Sequence, residues 1–588
     1  MNIKNTCSLL ARWGKTYKSL AGAMLLAVSA QGLLSSCDDF LTIKPQNEIV
    51  LENFWTEEAD VNSVLFSCYA KLASTDCMKR MIVWGESRSD NMVVGTGATD
   101  DLIQIFKENI LETNAYTNWQ SFYEAINRCN TVLHYAPEVN AIDPNFTDAE
   151  LRATVAEVTM LRSLCYFYLI RTFRDVPYIT EPSLDDTQNY QVPATPFDEV
   201  LDKLIADMEA VKDDAVRSYG EDSPENKYRI TRWACYALLA DLYLWKGEWQ
   251  QCIDYCDLII NEKIAEHEKG YSENPTVWPV FLFDGYPLIS ETGASSNYAG
   301  EAYDRIFGDG GSFESIFELY CNTTSGTQKA GGENNAVSDF YGSSQQRNGQ
   351  IGAASFIYDG VFDGGNNKYF VKTDNRYLEY MFSSNNKAYI SKYVYRSISF
   401  NTTTTTGAAP RVDASVRSSA DANWIIYRLT DVMLMRAEAE IEMAGDVEAG
   451  ATLTDEQQQH YRNAFGTILA VWKRANNKRT STSDLLRFDD YGNSRTNMEN
   501  LLLEERQREL LFEGKRWFDL VRFSRRENDN TRLVQKVTPK FQENASVIRI
   551  KLATQDALYW PYNREELKQN PYLVQNPAYE TDNTEQNF

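Results

Sequence analysis

The sequence predicts a mainly α-helical protein: a superhelix of tetratricopeptide-like helix pairs, elaborated by a long loop-rich region with short strands. Three observations predict it. Apolar residues recur at helical spacing in several long segments, most clearly over 148–174. Tyr236, Leu239, Ala240, Tyr243, Gly247, Trp249, Cys252 and Cys256 fall on the spacing of a helix–turn–helix repeat unit. Residues 262–424 are instead rich in Gly, Ser, Asn and Thr, with only short strand-like runs such as Ser315–Tyr320.

Residues 1–36 read as a targeting segment. Lys4, Arg12, Lys15 and Lys18 precede the apolar run Leu20–Leu34, which is shorter than the ~20 residues of a spanning helix. Leu34-Ser35-Ser36-Cys37 follows, an aliphatic residue and two small ones before a thiol, and so resembles a bacterial lipobox in which Cys37 is acylated. The alternative is an ordinary secretory signal with a coincidental cysteine. Residues 37–588 are expected to form a single domain in three parts: helical 37–261, loop-rich 262–424 and helical 425–588.

In the first part, Thr56 is a candidate cap for a helix over Trp55–Ser74 with Val61, Val64, Leu65 and Tyr69 on one face. A second helix is expected over Asn114–Tyr135. A third covers Asp148–Arg174, capped by Asp148, and a fourth covers Phe197–Val211 after Pro196. In the repeat unit of Ile230–Asn261, Gly247 makes the turn and small residues at 240 and 252 let the helices approach. Cys252 and Cys256 are therefore read as packing residues rather than metal ligands, having no His or further Cys beside them. Asp431–Ala444 with His460–Ala475 forms another pair around Gly445, and Asn497–Phe523 extends the stack. One unit cannot bury its own apolar face, so its neighbours must stack on it.

Composition narrows the function. The 588 residues carry 58 Lys and Arg against 83 Asp and Glu, a formal charge of −25, which argues against binding duplex nucleic acid. Three scattered histidines, His134, His267 and His460, do not make a His-rich catalytic metal site, and no cofactor is called for. Calcium stays open, since loop Asp and Asn can bind it without a recognisable spacing. The 34 Tyr and 12 Trp could fill a core or line a surface that stacks on flat ligands. Eight cysteines follow Cys37, too few in so long a chain for a disulfide-stapled scaffold.

Five motifs converge in order: CDDFLTIKPQ after the lipobox, LRSLCYFYLIRTFRDVPYIT (Leu161–Thr180), YRLTDVMLMRAEAE (Tyr427–Glu440), ERQRELLFEGKRWFDLVRF (Glu505–Phe523) and NPYLVQNPAY (Asn570–Tyr579). Together they resemble the SusD/RagB family of outer-membrane nutrient-binding lipoproteins of Bacteroidetes, over nearly all of the mature chain. The resemblance implies a helical body with four tetratricopeptide-like units and a cell-surface, lipid-anchored position, for which Asp38 and Asp39 after Cys37 resemble the export signal. It implies capture of a glycan, or in some members a peptide, for a SusC-like TonB-dependent transporter, with no enzymatic activity.

Glu505, Glu509 and Glu513 lie four apart on one helix face, with Arg506, Arg508, Arg516 and Arg522 as available cations and Trp517, Phe518 and Leu520 as an apolar anchor. A glycosidase needs two opposed carboxyls roughly 5–9 Å apart around a sugar, so successive turns of one Arg-rich helix suit structural ion pairs better. Asp304, Asp309, Asp339, Asp359 and Asp363 in the loops keep a hydrolase reading in view. For binding, Trp84-Gly85-Glu86-Ser87-Arg88-Ser89-Asp90-Asn91 combines an aromatic face with Arg88, Asp90 and Asn91 as hydroxyl partners, or is simply a turn. Trp278, Tyr298, Tyr303 and Tyr341 are further ligand-binding candidates, whose neighbours favour exposure, whereas Trp245 and Trp249 are assigned to the core.

Overall fold

A computed structural model describes residues 54–184, 190–275, 278–290, 300–321, 334–343, 348–358, 369–371, 374–384, 387–401, 411–418, 420–446, 452–476, 486–541 and 543–579. Ten longer helices carry the architecture: α1 (Glu58–Leu72), α2 (Gln120–Ile142), α3 (Asp148–Phe173), α4 (Phe197–Val211), α5 (Arg232–Lys246), α6 (Trp249–Glu273), α7 (Leu429–Ala444), α8 (Asp455–Ala475), α9 (Arg495–Glu509) and α10 (Arg516–Glu527). Each from α1 to α8 packs on the next, and α9 packs on both α7 and α8. This neighbour-on-neighbour stacking of helix pairs is the predicted superhelix. Although residues 274–428 separate them in sequence, α6 and α7 are in direct contact, so the loop-rich region is an insertion into an unbroken stack.

Local chemistry sets the ends of the helices. Thr147 and Glu150 form a reciprocal capping box at α3, so the cap lies one residue before the expected Asp148. At α1 the box is formed by Glu57 and Asp60, and Thr56 instead donates to the Asp60 carboxylate at 2.9 Å. The second helix starts later than expected, after a 3-10 turn at Ala115–Thr117, and runs through Pro137 to Ile142. Gly247 ends α5 in the left-handed conformation (φ 84°), which a residue with a Cβ adopts at a cost. From Ala156 to Phe173 every residue of α3 is buried; its length and hydropathy would suit a membrane span, but here it is the central core helix.

The described strands form antiparallel two-stranded ladders. In the most buried of these, β1 (Ser315–Leu319) pairs with β2 (Trp424–Arg428), which leads straight into α7 and ties the insertion to the helical stack. The hairpin Val280–Phe283/Tyr286–Ile289 turns at Asp284-Gly285, both with positive φ (49° and 92°), as a two-residue hairpin loop requires. Cys252 and Cys256 are buried free thiols, as are Cys68, Cys77, Cys129, Cys165, Cys235 and Cys321. Trp245 is buried and Trp249 half-buried under Arg526.

Candidate functional site

The segment Trp84–Asn91 is interior, which corrects the expectation that it binds ligand. Val83–Ser87 forms a π-helical turn, and every residue from Trp84 to Asn91 is buried. The Trp84 indole N–H donates to the Tyr116 carbonyl at 2.8 Å, and its ring packs on Phe122 and Phe173. Arg88 meets Glu108 at 2.9 Å, lies over the Trp517 ring and donates to the Ala557 and Leu558 carbonyls. Asp90 receives both arms of Arg516 (2.8 and 2.9 Å), and the Asn91 amide oxygen accepts from Gln507 at 2.8 Å. Glu86 accepts from the backbone N–H groups of Phe512, Gly514 and Lys515, and burial pushes its carboxyl up to about 7 against these donors. Residue types suited to hydroxyl recognition are thus saturated by the protein itself. The hub closes at a glycine pair: a Cβ on Gly85 would lie 1.8 Å from the Gly514 carbonyl oxygen.

The carboxylates of the C-terminal motif are also internal. Glu509 binds Arg376 (2.9 Å), Arg428 (2.7 Å) and Arg474; Glu513 binds Lys392 (2.6 Å) and Arg428 (2.7 Å); Glu505 binds Arg376 (2.7 Å) and Arg508 (2.9 Å). Burial favours a neutral Glu509, but Arg474, Arg428 and Arg376 outweigh it and hold the carboxyl well below its usual range. Of the cations expected from the motif, only Arg508 takes part. Arg506 turns to Asp431 and Asp519, Arg516 to Asp90 and Arg522 to Glu438, because the motif is not one helix: it spans α9, a turn that holds Glu513, and α10, so its arginines face different partners. Trp517, Phe518 and Leu520 are buried as expected.

The remaining candidates divide. Tyr303 is buried and donates to the Ser391 carbonyl at 2.7 Å, and Tyr341 is buried and donates to the Phe512 carbonyl at 3.0 Å, so both are corrected to core residues. Trp278 is half-buried, its N–H on His267 Nδ1 at 3.0 Å and its ring edge-on to Phe313, and it keeps an accessible portion. Cys37, Tyr298, Asp359 and Asp363 lie outside the described residues. Asp304 accepts from the Ile398 N–H at 2.8 Å and Asp339 pairs with Lys79 at 2.5 Å, so both have structural partners.

Of the surface clefts among the described residues that the sequence did not anticipate, two lie on the helical stack. One, of about 470 Å³, lies between the segment joining α4 to α5 and the face of α6, and is crossed by the protein's own ion pairs, Arg217–Glu262 at 3.1 Å and Lys263–Glu266 at 2.7 Å. The other, of about 540 Å³, is bounded by Trp119–Arg128 at the start of α2, by Pro177–Ser183 with Tyr190 after α3, and by Glu566–Leu573. Tyr123 hydrogen-bonds the Pro177 carbonyl (2.6 Å), Asn127 accepts from the Ser183 N–H (2.6 Å), and Asn570 donates to the Val192 carbonyl (2.6 Å). Its three walls are therefore tied together before any ligand arrives. Two of them are tied across 54 residues of sequence and the third across 378, and the sequence signal for them was the excess of tyrosine.

Comparison with known proteins agrees with the architecture. A family model described as the SusD family matches residues 293–579, and one described as starch-binding associating with outer membrane matches residues 39–244. SusD-like protein P38 of Formosa agariphila is 25% identical over 587 residues, covering 96% of this chain and all of that one. The crystal structure of a SusD superfamily protein from Bacteroides vulgatus superposes with a TM-score of 0.62 at 18% identity, covering 89% of this chain and all of the other. A laminarin-binding SusD-like protein does so with a TM-score of 0.59 at 20% identity, over the same shares of the two chains. The order of the helix pairs, the insertion between α6 and α7 and these matches along almost the whole length lead to one conclusion: the chain belongs to the SusD family.

Proposed function

We propose that the mature protein is a lipid-anchored receptor on the outer face of the outer membrane, which captures a nutrient glycan and passes it, uncleaved, to a SusC-like TonB-dependent transporter. In this reading residues 1–36 are removed, Cys37 carries the acyl chains and 37–588 work as one domain. The observation that carries it is the match of residues 39–244 to a family described by starch binding and outer-membrane association, directly after a basic and apolar leader ending in Leu34-Ser35-Ser36-Cys37. The laminarin bound by a protein of the same fold supports a glycan as ligand. Binding without catalysis is supported by the state of Glu505, Glu509 and Glu513, which are buried, ion-paired and unavailable to protonate or attack a glycosidic bond.

Calorimetric titration of the mature protein with neutral oligosaccharides, acidic oligosaccharides and peptides tests the reading. Saturable glycan binding, with the sugar recovered intact, supports it. Binding of peptides with no glycan response overturns it in favour of peptide capture, and recovery of shortened sugar overturns the non-catalytic part. Co-purification of a TonB-dependent transporter with the membrane-bound protein tests the partner.

A further inference from the structure

The cleft between α2, the segment after α3 and the C-terminal segment has the chemistry of a sugar site. Tyr190 is 57% exposed at its rim and Tyr123 is half-buried in its wall, and aromatic rings are the side chains that stack on the C–H side of a pyranose. The buried Trp119 ring, wedged among Tyr123, Phe173 and Tyr562, fixes the floor. Around the aromatic groups stand planar polar ones, Gln120 and Glu124 on α2 and Glu566 and Gln569 opposite. Planar amides and carboxylates suit the paired hydroxyls of a sugar, because two acceptor or donor positions lie in one plane. Glu566 is half-buried beside the Trp119 indole, where burial raises its carboxyl above the usual range against the lowering effect of the Trp119 hydrogen bond.

Charge selects among ligands. The cleft's cation, Arg128, is committed to the Ser67 carbonyl at 2.8 Å, and Glu124 is neutralised by Lys71. Among the described residues lining the cleft, Arg128 is the one cation beside Glu124 and Glu566, and a sequence of formal charge −25 disfavours polyanions.

We propose that this cleft holds a ring of a neutral oligosaccharide, stacked on Tyr190 and hydrogen-bonded by Glu566, Gln120 and Gln569. The proposal rests on the glycan-capture reading and assigns that reading a place outside the loop-rich region. The walls are pre-tied by the Tyr123, Asn127 and Asn570 hydrogen bonds, so binding orders little of the protein.

The test is titration of the mature protein and of Tyr190→Ala and Glu566→Gln with neutral α-1,4- and β-1,3-linked gluco-oligosaccharides and with an oligouronate, with Tyr271→Ala, an exposed tyrosine not among those lining the cleft, as control. Circular dichroism and melting temperature establish that each variant is folded. The expected result is that a neutral glycan binds the parent and the control alike and loses about tenfold in affinity in both cleft variants, the size of one lost stacking or polar contact. Parental affinity in both folded cleft variants overturns the cleft assignment while leaving glycan capture standing. Binding of the oligouronate alone overturns the neutral-ligand part, and absence of any glycan binding to the parent overturns the capture reading and the proposal with it.

Discussion

Arg376 donates to Glu509 at 2.9 Å, and this contact joins the short helix Asn375–Tyr380 of the inserted region to the last turn of α9. Arg376 is held in turn by both oxygens of Asp374 (2.9 and 2.7 Å) and by Glu505 (2.7 Å), all buried. At this point the insertion is bolted into the helical stack through ion pairs that water does not screen.

Glu509→Ala therefore strands Arg376, Arg428 and Arg474 in the interior without their shared anion. The expected loss is about 3–5 kcal/mol, since removing one member of a buried ionic cluster leaves uncompensated charge. Equilibrium urea denaturation checks it; a loss below about 1 kcal/mol would mean that the cluster is hydrated.

Trp84→Ala should act on folding. The side chain is fully buried against Phe122 and Phe173, so a cost of about 3–5 kcal/mol is expected, visible as a lower melting temperature without any glycan present. A folded variant of parental stability that had lost glycan binding would restore this residue to a binding role.

Acid should weaken the protein through its depressed carboxylates. Burial opposes ionisation of Asp431 and Glu438, but Lys515 and Arg506 at the first and Arg522 and Arg526 at the second bring both down to about 2. A carboxyl lowered on folding stabilises above its unfolded value near 4 and loses that contribution as pH falls towards 2. Each is worth on the order of 2–3 kcal/mol. Urea midpoints measured from pH 5 to pH 2 should fall steadily, and the fall should shrink in Glu438→Gln.

Cys37→Ala should move the protein from the membrane fraction to the soluble fraction, with its fold unchanged. Fractionation of cells followed by immunoblotting reads this directly. Retention in the membrane at the parental level would overturn lipidation at Cys37.

The helical stack was legible because its signals are local. The spacing through Leu161, Leu164, Tyr168 and Leu169, and Gly247 between two periodic runs, need only neighbours in sequence to be read. Caps were displaced by a residue, since Thr147 and Asp148 are both good caps and only the backbone decides between them. The roles of Trp84–Asn91 were not legible. A buried polar hub and a sugar site draw on the same residue types, and the partner that decides between them, Arg516, lies 426 residues from Asp90. Glu509 shows the same limit: its helix position was plain, but its cations sit 35, 81 and 133 residues away. The cleft with Tyr190 and Glu566 exists only once three distant segments meet.

The contact of Gly85 with Gly514 bears on the order in which the molecule can be assembled. A ribosome releases Trp84–Asn91 hundreds of residues before Gln507–Trp517, so throughout synthesis Arg88, Asp90 and Glu86 have no interior to enter. Contacts of such long sequence separation make folding slow and leave apolar and charged surface open meanwhile. The N-terminal third is thus an incomplete template that the C-terminal motif locks shut. A fragment ending before residue 507 should aggregate, whereas co-expression with a second fragment that carries residues 507–588 should rescue it through the glycine seam and the Asp90–Arg516 pair.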